Sequence, residues 1–177
     1  EHLKSLELCG VTGRPVRKLE DLAGLAGLII PGGESTTVGK LLERYEMLEP
    51  IRERARGGMA VFGTCTGLIL LAHEIEGSGQ QRLNLMDITI RRNTFGRQVD
   101  SFETDLAVPA LGPAPLRAVF IRAPEVLAVG AGVEVLARYE GHLVLVRQGR
   151  FLGAAFHPEL TADTRLHEYF LKECCGA

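Results

Sequence analysis

The sequence predicts one α/β domain built on a mixed β-sheet flanked by helices, and three observations carry that prediction. Two successive units of buried apolar strand, glycine-bearing loop and apolar helix occupy the first half of the chain. Short alternating apolar runs punctuated by Gly and Pro occupy the second half. No internal repeat, linker or low-complexity stretch separates the halves. The 177 residues, 46% apolar and 24% charged, are enough to bury a single core.

Taken in order, Leu3, Leu6 and Cys9 share a helical stripe over residues 2–9. Gly10 stops that helix, and Pro15-Val16-Arg17 reads as an extended strand. Gly27-Leu28-Ile29-Ile30, closed by Pro31-Gly32-Gly33, has the unbroken apolar texture of a strand covered on both faces. Ser35 stands where it would cap the next helix, whose Val38, Leu41, Leu42 and Tyr45 recur at helical spacing and would face a sheet. Met59-Ala60-Val61-Phe62 repeats the unit and runs through Gly63-Thr64-Cys65-Thr66-Gly67 into an apolar helix over 68–72. Strands are expected at 89–91, 102–108, 119–122, 133–139, 143–147 and 151–156. Leu166, Tyr169 and Phe170 give a closing amphipathic helix.

Composition narrows the function. Lys plus Arg number 20 against 22 for Asp plus Glu, a net charge of −2 with no long run of one sign, which argues against nucleic acid as the main partner. The longest apolar run, residues 68–72, falls far short of the ~18 residues a membrane span needs. With no leader-like start, the expected setting is soluble and cytoplasmic. Cys9, Cys65, Cys174 and Cys175 show no Cys-x-x-Cys spacing, so free thiols are expected rather than a disulfide framework or a zinc site. The adjacent pair Cys174-Cys175 reads as inert packing.

The Gly63-x-Cys65-x-Gly67 pattern joins a buried strand to an apolar helix, the setting in which a sharp turn presents a nucleophile at the sheet's C-terminal edge. A helix N-terminus beside Cys65 would favour thiolate over thiol. The alternative is a small core cysteine beside a glycine turn. In His157-Pro158-Glu159, residues two apart in an extended segment point the same way. The carboxylate there would fix the imidazole tautomer and stabilise its cation. His2, His73, His142 and His167 lack an adjacent acid in strand register and read as satisfied structural histidines, with His73 too far along its helix to serve Cys65. The 31–35 loop lies at a strand's C-terminal end, where open α/β sheets place ligands. Its amides would form half of an oxyanion hole and the Thr66 N–H the other half, one such donor being worth roughly 10²- to 10³-fold in rate. A phosphate cradle is the rival, without a Gly-x-Gly-x-x-Gly or P-loop signature to support it.

Together these motifs resemble the triad-type (class I) glutamine amidotransferases. Pro31-Gly-Gly-Glu-Ser-Thr-Thr37, Phe62-Gly-Thr-Cys-Thr-Gly-Leu-Ile-Leu-Leu-Ala72, Arg92-Asn-Thr-Phe-Gly-Arg-Gln98, Phe120-Ile-Arg-Ala-Pro124 and Phe156-His-Pro-Glu159 are similar, in order, to the glutaminase subunits of pyridoxal 5'-phosphate synthases. The resemblance implies a three-layer, flavodoxin-like fold and hydrolysis of glutamine to glutamate and ammonia by Cys65, His157 and Glu159. It also implies an oxyanion hole at the Gly33 and Thr66 amides, and a glutamine site formed by Gly33, Glu34, Ser35, Arg92, Ile121 and Arg122. No cofactor or metal is implied. The implied partner is a synthase subunit that receives the ammonia and, on docking, raises a weak glutaminase activity. Three departures stand out. Leu68-Ile69 replaces the His/Met-Gln pair of other class I enzymes, and Thr66 replaces a frequent Ala. The family's opening apolar strand and Ala-Leu-Gln-Gly-like loop would precede Glu1 of a domain otherwise spanning 1–177. Without the resemblance, Arg92 with Arg91 and Arg97 reads as a solvated basic face, and Arg52, Arg54 and Arg56 are assigned to solvent. Two other readings remain: a different cysteine-dependent hydrolase of related fold, for which a histidine would be expected at position 66, or a non-catalytic binding subunit.

Overall fold

The computed structural model describes residues 1–94 and 101–177. Its strands in chain order are β1 (Gly27–Ile30), β2 (Ala60–Thr64), β3 (Ala72–Ile75), β4 (Met86–Arg91), β5 (Ser101–Leu106), β6 (Leu116–Ile121), β7 (Glu125–Val129), β8 (Glu134–Tyr139), β9 (His142–Gln148) and β10 (Phe151–Ala154). The helices are α1 (His2–Leu8), α2 (Ser35–Arg44), α3 (Leu48–Arg56), α4 (Thr66–Leu71) and α5 (Arg165–Tyr169), the last continuing as a π-helical turn, Phe170–Cys175. Among the described residues no helix is long and apolar enough to cross a membrane.

Every residue of β2 is buried, as an unbroken apolar run demands of a strand covered on both faces. β2 lies between β1 and β10 and is parallel to both. The main sheet runs β1-β2-β10-β9-β7-β4-β3, with β8 also paired to β9. The pairs from β10 through β9 and β7 to β4 are antiparallel, and β4 with β3 is parallel, so the sheet is mixed, as expected. β5 and β6 form a separate antiparallel ladder. Its Phe102 and Phe120 rings stack at 4.8 Å, and Phe120 meets Phe156 at 5.6 Å, which pins this ladder to the end of β10.

All six residues of α4 are buried, because the helix lies directly on the sheet. A Cβ at Gly67 would stand 2.0 Å from the Ile30 carbonyl oxygen, and one at Gly63 would stand 2.3 Å from the Gly67 carbonyl carbon. Both obstacles are backbone, so neither contact can be relieved by a rotamer change.

Several elements differ from expectation. α1 turns Leu3 and Leu8 outward and buries Ser5, because its inward face carries His2 into a polar cluster rather than an apolar stripe into the core. Residues 15–17 form no strand. They have no ladder partner among the described residues, and the Arg17 and Lys18 amides donate to the Asp21 carboxylate instead. In α2, Val38 and Leu42 pack against the core while Leu41 and Tyr45 are exposed. Gly39 brings this helix close to the Gln81 backbone and shifts the buried face toward Ser35 and Gly39. The charged α3 and the short β3 and β7 were not expected. Arg52 is not left to solvent, since it donates to the Leu83 and Arg82 carbonyls, whereas Arg54 and Arg56 are exposed. Cys174 is buried in the core and burial pushes both tail thiols up, Cys175 to about 11, in keeping with inert packing.

Replacing Gly67 with Ala should therefore destabilise the fold by about 1–3 kcal/mol or more, since the overlap is with backbone. A denaturant midpoint unchanged from the parent chain would show that α4 does not sit on the Ile30 carbonyl.

Candidate active site

The β2–β10 ladder pairs Thr64 with Ala154, and Cys65 N–H extends it by donating to the Ala154 carbonyl at 2.8 Å. Beyond β10, Ala155 N–H bonds the Val144 carbonyl, Phe156 is fully buried, and His157 N–H donates to the Val119 carbonyl at 2.8 Å. Cys65 and His157 thus leave the C-terminal ends of adjacent parallel strands, on the two sides of one glycine. A Cβ at Gly32 would fall 2.5 Å from Cε1 of His157 and 3.6 Å from Cβ of Cys65. No side chain fits at Gly32 while the two stay in place.

Cys65 occupies the turn with φ 50° and ψ −103°, a backbone region that non-glycine residues rarely adopt, and its thiol lies 3.9 Å from the Ile121 carbonyl. A non-glycine residue persists there only where its surroundings hold it. Here β2 holds it from one side and α4, packed through Gly63 and Gly67, from the other.

His157 Nδ1 meets Glu159 Oε1 at 2.8 Å. Burial disfavours the imidazolium, but hydrogen bonding with Cys65 and Glu159 outweighs it and pushes His157 up to about 9. Burial likewise disfavours the Glu159 carboxylate. The hydrogen bond from His157 and the nearness of His2 nevertheless hold it below the ordinary carboxylate range.

Two histidines read as isolated in the sequence belong to this cluster. His2 Nε2 lies 3.5 Å from Glu159 Oε2 and 3.2 Å from Thr64 Oγ1, and its Nδ1 lies 3.0 Å from His167 Nε2. Burial pushes both imidazoles down, His167 to about 4. No sequence signal announces a contact between residues 165 positions apart. The other two histidines stand apart, His142 against Glu125 at 2.5 Å and His73 against Asn84 at 2.9 Å.

The expected glutamine-site residues fall in three segments: the Gly33–Ser35 loop, Arg92 just after β4, and Ile121–Arg122 at the end of β6. Glu34, rather than Ser35, caps α2. Its carboxylate accepts from Thr37 Oγ1 and from the Thr36 and Thr37 amides, which pulls it down to about 2. Arg92 reaches this loop, donating to Gln80 Oε1 at 2.9 Å and to Thr36 Oγ1 at 3.4 Å, and the Ser35 hydroxyl donates to the same Gln80 oxygen at 3.4 Å. Gln80, overlooked in the sequence, is the bridge. Arg91 instead pairs with Glu76 on the surface, and Arg97 lies outside the described residues, as does the rest of its motif from Phe95 to Gln98. Ile121 ends β6 with its carbonyl toward the cysteine, and Arg122 follows at φ 44°. The Thr66 hydroxyl donates to the Gly33 carbonyl, tying the elbow to the glycine loop. Among the described residues no group of three or more His, Cys, Asp or Glu side chains is arranged to hold a metal ion.

Comparison with known proteins gives the lineage. The model of the SNO glutamine amidotransferase family matches residues 1–176. The chain belongs to that family. Like its other members it is a glutamine amidotransferase. Pyridoxal 5'-phosphate synthase subunit PdxT of Pelotomaculum thermopropionicum is 59% identical over 177 residues, covering all of this chain and 90% of that protein. A solved structure described as a glutamine amidotransferase superposes with TM-score 0.93 at 51% identity, covering 99% of this chain and 93% of the other. PurLQS from Thermotoga maritima, at TM-score 0.71 and 18% identity over 97% of this chain and 90% of its own, shares the fold alone.

The electrostatics of the His157–Glu159 pair give a pH test. A raised histidine stabilises the fold fully below its ordinary 6.5, and that contribution fades as pH climbs through about 9. The lowered Glu159 contributes above its ordinary 4.5 and loses that contribution as pH falls through its depressed value. Glu159→Gln should therefore move the His157 midpoint down from about 9, measured by NMR titration of the ring. An unmoved midpoint would separate Glu159 from the imidazole.

Proposed function

We infer that this chain is the glutaminase subunit of a pyridoxal 5'-phosphate synthase, a single domain over residues 1–177 that supplies ammonia for vitamin B6 synthesis. The observation that carries the reading is the convergence of Cys65 and His157 on Gly32, with Glu159 on the far ring nitrogen. Cys65 as thiolate attacks the carboxamide carbon of glutamine, and the Gly33 and Thr66 amides receive the charge that develops on oxygen. His157 protonates the nitrogen as the C–N bond breaks, releasing ammonia and leaving a γ-glutamyl thioester on sulfur. A water deprotonated by the same imidazole then attacks the thioester, freeing glutamate and restoring the thiolate–imidazolium pair. Glu159 keeps the proton on Nδ1 through both halves.

The substrate's amino acid end is assigned to the Gly33–Ser35 backbone, Arg92 and Ile121–Arg122. Arg92 offers guanidinium donors to the α-carboxylate, and backbone carbonyls suit the ammonium. The partner is the synthase subunit, in a hetero-oligomeric, cytoplasmic complex, and its docking completes the oxyanion hole through the glycine loop. The bond from Thr66 to the Gly33 carbonyl supports this reading, because it couples loop and elbow.

With synthase present, Cys65→Ala should lower glutamate release by more than about 10³-fold, and a diazo-ketone glutamine mimic should modify Cys65 in the parent chain. No labelling even with the partner present would favour a non-catalytic subunit. Glutamate release from the isolated chain equal to that of the complex would rule out docking control. Arg92→Ala should raise KM for glutamine about tenfold or more with kcat within twofold, the loss of one charge-assisted contact.

A further inference from the structure

Two polar atoms in the triad's neighbourhood are buried without a hydrogen-bond partner among the described residues: Glu159 Oε2 and His167 Nδ1. Between them stands His2, 3.5 Å from the first and bonded through its Nδ1 to the other nitrogen of His167. Two proton arrangements satisfy the histidine pair. In one, His2 carries its proton on Nδ1 and donates to His167. That leaves His167 with an orphaned buried N–H and turns a bare His2 lone pair toward the carboxylate. In the other, His167 Nε2–H donates to His2 Nδ1, and His2 Nε2–H is directed at Glu159 Oε2 and Thr64 Oγ1. The only unpartnered atom on His167 is then a lone pair, and buried lone pairs are left unsatisfied more often than buried N–H groups. The second arrangement also puts hydrogen rather than a lone pair against a carboxylate. Both rings are driven toward their neutral, single-proton forms by burial, as either arrangement needs.

We propose that His2 is a positioning residue for the triad carboxylate: its Nε2–H faces the Glu159 oxygen that His157 does not use, and His167 selects the tautomer that places the proton there. Glu159 is then bonded to His157 through Oε1, while the His2 Nε2–H, 3.5 Å from Oε2, opposes its rotation away from the catalytic imidazole. Thr64, one residue before Cys65, closes the arrangement onto the nucleophile's own strand. The α1 helix supplies His2 and α5 supplies His167, so helices remote in sequence support a triad carried by strand ends.

The proposal rests on the triad reading, and its test keeps the two apart. Diazo-ketone labelling of Cys65 in the complexed parent chain decides the triad reading alone. Given labelling, His2→Leu should lower kcat about tenfold with KM for glutamine within twofold, and His2→Gln, whose amide N–H reaches toward the Nε2 position, should recover most of it. In a Glu159→Gln background His2→Leu should cost less than about twofold more, because its target is gone. The ¹⁵N shifts of His2 in the parent chain should show the Nε2–H tautomer, a readout that needs no variant. A Nδ1–H tautomer, an unchanged kcat, no rescue by Gln, or a full additive loss in the Glu159→Gln background would each overturn the positioning role while leaving the triad standing.

Discussion

In the register that pairs Thr64 with Ala154, β2 and β10 end side by side, and the approach of Cys65 to His157 is laid out from that pairing. The ladder sets Cys65 one residue past one strand and His157 three residues past its neighbour, with the Val119 carbonyl of β6 holding the second segment in place. A slip of one residue would turn each side chain to the opposite face of the sheet and scatter the cluster. The burial of β2 on both faces, the close seating of α4 and the stack of Phe102, Phe120 and Phe156 all act to forbid that slip.

What could be read from the sequence was what local chemistry spells out. Unbroken apolar runs ending in glycine gave β1, β2 and the elbow, and His157-Pro158-Glu159 gave the acid-base pair, because the residues concerned are neighbours along the chain. The Gln80 bridge and the exposure of Leu41 were hidden, since each depends on what lies across the fold, whereas the Glu34 cap is local and was missed because the adjacent Ser35 is the commoner capping residue. Gly39 could not be seen to press on residue 81. His2 is the clearest case. On its own helix it is an ordinary polar residue, and its meaning comes from groups on β2, α5 and the turn after β10.

The cluster is a polar column set in an apolar interior, with the fully buried Phe62 ring edge-on to His2 and His167. Such a column is tolerable only when nearly every member has a partner, since a half-satisfied buried network is worse than none. The alternation of one acid among three imidazoles and one hydroxyl meets that requirement with few charges. Burial pushes the His2 and His167 rings toward their neutral forms, so the desolvation cost falls mainly on His157 and Glu159, which offset each other's cost.

The left-handed backbone at Cys65 has a price of its own. A side chain held at φ 50° forfeits roughly 1–3 kcal/mol that the same turn would keep with glycine in its place. The turn at Cys65 is therefore a weak spot, maintained by the rigidity of everything around it. Under the proposed mechanism, drift toward a relaxed turn would yield a sturdier protein with nothing left to react, so selection for robustness and selection for turnover pull in opposite directions at this one residue.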